Sequence, residues 1–191
     1  MKSRQEALDL LHEYTKSENL RKHGLGVEAA MRAYARKFSE NEDVWGIVGL
    51  LHDFDYEVHP TADTHPVEGS KILRERGYPE EIIYAIQCHA DYLGLDRRTN
   101  MDKAIFACDE LVGLVNAVAL VQPTKSVTDV KVRSVKKKLK DKSFARGVIR
   151  EDITNGTAQL GVDLDEHIAT VIEAMQGVAA ELGLDGSLVK T

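Results

Sequence analysis

The sequence contains little cysteine and no long apolar run. Its 191 residues include only two cysteines, Cys88 and Cys108, too few for a disulfide framework. No stretch approaches the roughly 18 consecutive apolar residues that cross a membrane. The first 15 residues carry acids among their leucines, unlike a signal peptide. We therefore expect a cytoplasmic protein with reduced thiols and no membrane partner.

The composition is that of one folded domain. Hydrophobic residues make up 43% of the chain and charged residues 29%, which excludes wholesale disorder. The length suits a single domain with a sizeable core. No low-complexity linker or internal repeat divides the chain. We predict one all-α domain over residues 1–191.

Positive charge is concentrated in one segment of an acidic chain. The net charge is −6, yet residues 131–150 contain nine lysines and arginines and a single acid, Asp141. This segment therefore carries about +8. Such a segment is either an anion-binding surface or a solvated helix face, and the sequence leaves both open.

Apolar residues recur at helical spacing, and no segment alternates as a strand does. Capping and stop signals mark the ends, for example the Ser3–Glu6 capping box and Gly77 followed by Pro79. We predict about eight to nine helices, in a core at about 19–121 and in basic and C-terminal helices at 127–185. The predicted spans are about 4–15, 19–38, from Asn41 to Leu51, between Thr64 and Gly77, from Pro79, 100–121, 127–141, pieces of 143–160, and from Asp163 or Asp165 to Leu182.

Histidines and aspartates lie where these helices are buried or end. His52 and Asp53 directly follow the apolar residues 44–51, while Asp109 and His89 fall on the apolar faces of their helices. A buried carboxylate near buried imidazoles requires a compensating cation, which a metal ion supplies. The pattern therefore predicts a metal site.

The types of ligand restrict the metal. Imidazole and carboxylate without cysteine suit Fe, Mn, Ni, Co or Zn. Four histidines and two aspartates are too many for one tetrahedral zinc and suit a two-metal centre. We expect two divalent transition-metal ions as cofactors.

The order of these residues resembles that of the HD-domain metal-dependent phosphohydrolases, in the variant with an additional pair of histidines. The family pattern is His, then His-Asp, then further histidines, then a distant Asp, on a helical bundle. The resemblance covers about residues 19–115. The matching residues are His23 in LRKHG, His52 and Asp53 in LLHD, His65 in HPVEG, His89 in QCHAD and Asp109 in ACDEL.

The resemblance implies two ions that share one catalytic, bridging aspartate, Asp53. The first ion would be held by Asp53 together with His23, His52 and Asp109, and the second by Asp53 together with His65 and His89. A water activated by these ions would attack phosphorus. The implied function is hydrolysis of a small phosphate ester, with nucleotides as the first substrate class.

One position departs from the family pattern. Many bimetallic members carry a phosphate-contacting lysine three residues after the His-Asp aspartate, and this chain has Tyr56 there. We predict that Lys137, Lys142 and Arg146 of the basic segment bind the substrate instead. No aromatic residues interleave these lysines as stacking platforms, so we expect no nucleic-acid partner.

Two further functions stay open at this stage. The same ligand set resembles that of the mixed-valent di-iron oxygenases of the superfamily. The other alternative is a non-catalytic binding module in which the metal only holds helices together or senses a ligand. The sequence does not determine the metal or the oligomeric state. It also does not show which of four acids hydrogen-bonds to a metal ligand or donates a proton; these are Asp55, Glu57, Glu68 and Asp91.

Overall fold

A computed structural model describes residues 2–189 and confirms the all-α prediction. About 65% of the structure is helical, and residues 2–189 contain no strand. The ten helices are α1 Arg4–Tyr14, α2 Glu18–Phe38, α3 Glu42–Leu51, α4 Val67–Glu75, α5 Glu80–Gln87, α6 Asn100–Leu120, α7 Val132–Leu139, α8 Arg150–Leu160, α9 Leu164–Gly177 and α10 Ala179–Leu182.

Three predicted side-chain caps set the starts of their helices. Ser3 and Glu6 form a reciprocal capping box at α1, and the Asn41 side chain accepts from two backbone N–H groups at the start of α3. The Asp163 side chain does the same for α9. These side chains satisfy N–H groups that have no partner within their own helix. The sequence therefore predicts these starts to within a residue or two.

Two predicted helices are interrupted. The basic helix, expected at 127–141, covers only Val132–Leu139. The Val127 N–H donates to the Leu184 carbonyl at 2.8 Å, and this bond holds the residues before the helix against the C-terminal segment. Residues Val127–Asp129 form a single 3₁₀ turn. The last helix breaks at Val178, which separates α9 from α10.

Helix α2 lies at the centre and packs against α3, α6 and α9. Glycine allows its close approach to α3, since a Cβ on Gly49 would lie 2.8 Å from the backbone of Val27 and Glu28. Helix α6 packs against α2 on one side and α8 on the other. There a Cβ on Gly156 would lie 2.6 Å from the Ala107 Cα. These contacts fix the three helices that carry His23, the His52–Asp53 pair and Asp109.

Buried residues from α1 to α10 form one hydrophobic core. The largest fully buried side chains include Tyr34, Phe54 and Phe106. Within residues 2–189, no helix has both the length and the apolar character that a membrane span requires.

Candidate metal centre

The structure brings all six histidines and aspartates of the motif to one place. Two lie within helices and four lie at helix ends, where backbone turns direct them toward the same space. They are His23 in α2, His52 and Asp53 directly after α3, His65 before α4, His89 after α5 and Asp109 in α6. His89 follows the C-terminal residue of α5 rather than lying within the helix.

The first group of ligand atoms surrounds the Asp109 carboxylate. Its Oδ1 lies 2.9 Å from His23 Nε2 and 3.4 Å from His52 Nε2. His52 is fully buried, whereas His23 and Asp109 are each about one-fifth exposed. These three residues present one ligand atom each within a sphere that a single ion can occupy.

The second group surrounds Asp53. Its Oδ1 lies 3.1 Å from His65 Nε2 and 3.4 Å from His89 Nε2, while its Oδ2 lies 3.5 Å from His52 Nε2. Asp53 therefore turns one carboxylate oxygen toward each group. This is the arrangement that a bridging carboxylate requires in a two-metal site.

Hydrogen bonds on the opposite ring nitrogen orient three of the four imidazoles. His52 Nδ1 lies 2.8 Å from the Gly49 carbonyl, and His89 Nδ1 lies 2.5 Å from the Ile86 carbonyl. His65 Nδ1 lies 2.8 Å from Asp55 Oδ1. Each acceptor takes the Nδ1 hydrogen, so that the Nε2 lone pair of the neutral ring is directed toward the centre.

The Nε2 atom of His52 provides a direct test of whether a metal fits. It is buried and has no hydrogen-bond partner among the described residues. A buried polar atom without a partner is costly, and neutral imidazole nitrogen is a common metal ligand. The lone pair faces Asp53 and Asp109, so the donor set fits a divalent transition metal.

The charges of the cluster shift the pKa values of its members. Burial alone would lower the pKa of His52, but the carboxylates of Asp53 and Asp109 outweigh it and raise the pKa to about 9. Burial likewise opposes protonation of His65, while hydrogen bonds to Asp53 and Asp55 raise its pKa to about 9. In the other direction, burial would raise the pKa of Asp53, but the charge of His52 holds it well below its ordinary value.

Asp55 hydrogen-bonds to His65 and so positions one ligand of the second group. It is 1% exposed, and its Oδ2 accepts the Gly69 N–H at 2.9 Å while its Oδ1 accepts from His65. A Cβ on Gly69 would lie 2.5 Å from the Asp55 Cγ, so only glycine permits this approach of α4. Of the four acids that the sequence leaves undecided, Asp55 is the one that hydrogen-bonds to a motif histidine. Glu57 instead accepts N–H groups near the start of α2.

Five of the six residues line a cleft of about 600 Å³, and the sixth, His52, is buried beneath them. Two exposed tyrosines flank the second group: the Tyr56 ring stands edge-on to the His65 ring, and the Tyr92 hydroxyl donates to the His65 carbonyl at 2.7 Å. The opposite wall includes Glu110, whose pKa burial and the neighbouring Asp109 raise to about 7. The remaining wall residues lie in three parts of the chain. They are Ala90 and Asp91 after α5, Phe106 and Gly113 in α6, and Gly147, Ile149 and Asp152 before and at the start of α8.

The loop at residues 141–149, which one arginine holds, contributes Gly147 and Ile149 to the wall. The Arg150 guanidinium donates to the carbonyls of Asp141, Phe144, Ala145 and Val148, which folds residues 141–149 around it. The Ile149 N–H then donates to Glu110 Oε2 at 3.1 Å. This is how Gly147 and Ile149 reach the cleft, a path that sequence spacing does not predict.

The structure does not bring the three predicted substrate-binding residues to the cleft wall. Lys137 lines a separate surface groove with other cations of α7, because α7 packs against α6 and α9. Lys142 and Arg146 are exposed on the loop, with Arg146 next to the wall residue Gly147. Their contact with a substrate stays a prediction. Sequence reasoning missed Glu110 and Asp152, which the order of ligands does not mark.

His167 lies outside the centre, in the core. The Tyr34 hydroxyl donates to its Nδ1 at 2.6 Å, and its Nε2 donates to the Ala107 carbonyl at 2.9 Å. Burial lowers the pKa of His167 to about 4, so the ring is neutral at physiological pH. This histidine is a satisfied core residue.

Comparison with known families finds one match. The family model described as the HD domain matches residues 20–113, about half of the chain. The matched range contains all six residues of the centre. No curated protein and no solved structure gave a significant match.

Proposed function

Since the chain carries an HD domain and through it belongs to the HD-domain superfamily, most members of which are metal-dependent phosphohydrolases, we propose that it hydrolyses a small phosphate ester with the help of two divalent metal ions. The observation that carries the proposal is the sharing of Asp53 between two groups of ligand atoms. The buried Nε2 of His52, which has no hydrogen-bond partner among the described residues, supports it.

The proposal assigns the first ion to His23, His52 and Asp109 and the second to His65 and His89, with Asp53 between them. When bound, such ions supply a water of lowered pKa and positive charge for the phosphate oxygens. The six ligands lie in or at the ends of five helices of a packed core. We therefore expect their positions to change little when a substrate enters.

The residues around the ligands hold this arrangement in place. Asp55 keeps the His65 ring in the tautomer whose Nε2 faces the centre, and the Gly49 carbonyl does the same for His52. The Tyr56 ring packs perpendicular to the His65 ring, with 5.2 Å between their centroids. The chain itself thus binds and orients, and no serine or cysteine nucleophile is required.

The cleft admits a small ester. Its volume of about 600 Å³ is within the range of small-molecule sites and accommodates a nucleoside monophosphate, the class that the sequence favours first. In the proposal, contact with the substrate would require Lys142 and Arg146 to turn from the surface of the loop at 141–149 into the cleft.

A metal analysis combined with a substrate screen tests this function. We expect the purified protein to contain about two transition-metal ions per chain and to release phosphate from nucleotides or generic phosphate esters with Mn²⁺, Ni²⁺ or Co²⁺. Oxygen consumption by an iron-loaded protein, without phosphate release, would instead indicate the di-iron oxygenase. Absence of turnover with every metal, combined with a lower melting temperature in Asp109→Ala, would indicate a metal-stapled binding module.

A further inference from the structure

Apart from its histidines, the ionisable side chains of the cleft wall are acids and two tyrosines. Five carboxylate residues line it, and among residues 2–189 no lysine or arginine does; the acids are Asp53, Asp91, Asp109, Glu110 and Asp152. Sites that grip polyphosphates use lysine or arginine clamps in addition to metal. The composition of this wall therefore constrains the part of the substrate that lies beyond the phosphate.

Four of the five carboxylates already have a partner or a proposed ion. Asp53 and Asp109 face the metal centre, Asp91 forms an ion pair with Arg97 at 3.0 Å, and Glu110 accepts the Ile149 N–H. Asp152 differs from them: among the described residues its carboxylate makes no hydrogen bond and no ion pair within 4.0 Å, and Arg97, which pairs with Asp91, attracts it only at longer range. It is half-buried on the first turn of α8 and faces the cleft.

Two aromatic rings complete the mouth of the cleft. Tyr56 is 42% exposed and Tyr92 is 56% exposed, and both contact His65. Tyrosine faces attract cations through the ring quadrupole, and pockets for ammonium groups combine such rings with carboxylates. The tyrosines and the unpaired Asp152 are independent features that favour the same chemistry.

We propose that the substrate is a phosphate monoester whose alcohol portion carries an ammonium group, which pairs with Asp152 while the phosphate lies at the metal centre. This inference rests on the proposed function and names its substrate class. Two divalent ions carry +4 and their two aspartates −2, so a phosphate dianion neutralises the centre. The Asp152 carboxylate then leaves the outer wall negative, which favours an amine and repels the further phosphates of a nucleoside triphosphate.

Binding of matched esters to the metal-loaded full chain tests the inference. The probes are 2-aminoethyl phosphate, propyl phosphate, which replaces the ammonium group by a methyl group of similar size, and ATP. Calorimetry gives the dissociation constants, and phosphate release gives kcat/KM. A charge-assisted contact to Asp152 predicts that the amino ester binds about tenfold to a hundredfold more tightly than propyl phosphate, and that raised salt reduces the difference.

Asp152→Asn should remove this preference, and Glu151→Gln should keep it. Glu151 is the neighbouring exposed acid, lies outside the cleft wall and loses the same charge in its variant. Equal affinity for the two esters in the wild type, a preference that survives in Asp152→Asn, or tightest binding of ATP would overturn the inference. Phosphate release without any preference would leave the proposed function standing, whereas a preference in binding without phosphate release from any ester would contradict the proposed function alone.

Discussion

The Nε2 atoms of His65 and His89 lie 3.0 Å apart, although each ring already gives its Nδ1 hydrogen to another acceptor. Two lone pairs at this distance repel each other unless a proton or a cation lies between them. Two ligands bound at about 2.1 Å to one ion at right angles are about 3.0 Å apart. The pair is therefore arranged for a shared metal ion, and protons are its competitors.

Metal affinity should consequently depend on pH. In the metal-free protein the neighbouring carboxylates raise the pKa values of His52 and His65 to about 9, so at pH 7 both rings are cationic and carry a proton on Nε2 as well. Because an ion needs the same lone pairs, we expect apparent affinity to fall by about tenfold per pH unit for each proton released, as the pH falls from 9 to 6. Calorimetry in buffers of different ionisation enthalpy measures both quantities. An affinity that is constant over this range would contradict the assignment.

The stability of the metal-free protein should fall as the pH rises, whereas its metal affinity should increase. The raised pKa values of the two imidazoles stabilise the fold below about pH 6.5, their unfolded value, and this contribution is lost as the pH rises through about 9. We expect the melting temperature of the metal-free protein to fall between pH 6.5 and pH 9. The metal-loaded protein serves as the control and should not show this fall, because its imidazoles bind ions instead of protons.

Asp53→Ala should remove both metal binding and turnover. Asp53 lies between the two groups and compensates the charge of each, so its loss affects both ions. We expect phosphate release to fall to background and the metal content to fall well below two ions per chain. A variant that keeps full metal content and turnover would show that the centre is wrongly assigned.

Asp55→Asn tests whether the hydrogen bond from His65 to Asp55 supports binding of the second ion. The amide oxygen can still accept from His65 Nδ1, but its NH₂ group cannot accept the Gly69 N–H that Asp55 Oδ2 accepts. We expect affinity for the second ion to fall by roughly 10- to 100-fold while the first ion stays bound. Glu57→Gln is the control, since Glu57 only accepts N–H groups of Lys16 and Ser17. Equal effects of the two variants on metal affinity would contradict the role of Asp55.

Gly69→Ala should disturb the same site through its backbone contact. The added Cβ would lie within 2.8 Å of all three carboxylate atoms of Asp55, and we expect a loss of about 1–3 kcal/mol in stability together with weaker binding of the second ion. Gly177→Ala is the matched helical control, because no atom lies within 4 Å of its added Cβ. Thermal unfolding and metal titration of both variants distinguish a local displacement from a general effect of the substitution.

The sequence predicts those features that depend on local chemistry. Side-chain caps such as Ser3 and Asn41 act within a few residues, so the helix starts that they set are recovered. The ordered histidines and aspartates likewise follow from the apolar residues that precede them and from the family resemblance. Single-domain organisation and the roles of the six residues stay predictions that solution measurements must test.

Features that depend on distant contacts are missed. The basic helix is shorter than predicted because the Leu184 carbonyl holds Val127. The wall residues Ile149 and Asp152 reach the cleft because Arg150 folds the preceding loop through four backbone carbonyls, which leave no periodic signal in the sequence. The same loop keeps Arg146 on the surface. Hydrogen bonds that follow no helical spacing, rather than helix propensity, decide which of these residues line the cleft.

The most direct test of the central claim is an anomalous difference map from crystals soaked with Mn²⁺. We predict two peaks, one among His23, His52 and Asp109 and the other between His65 and His89, with the Asp53 carboxylate touching both. A map without a peak among these six residues, at saturating Mn²⁺, would contradict the account.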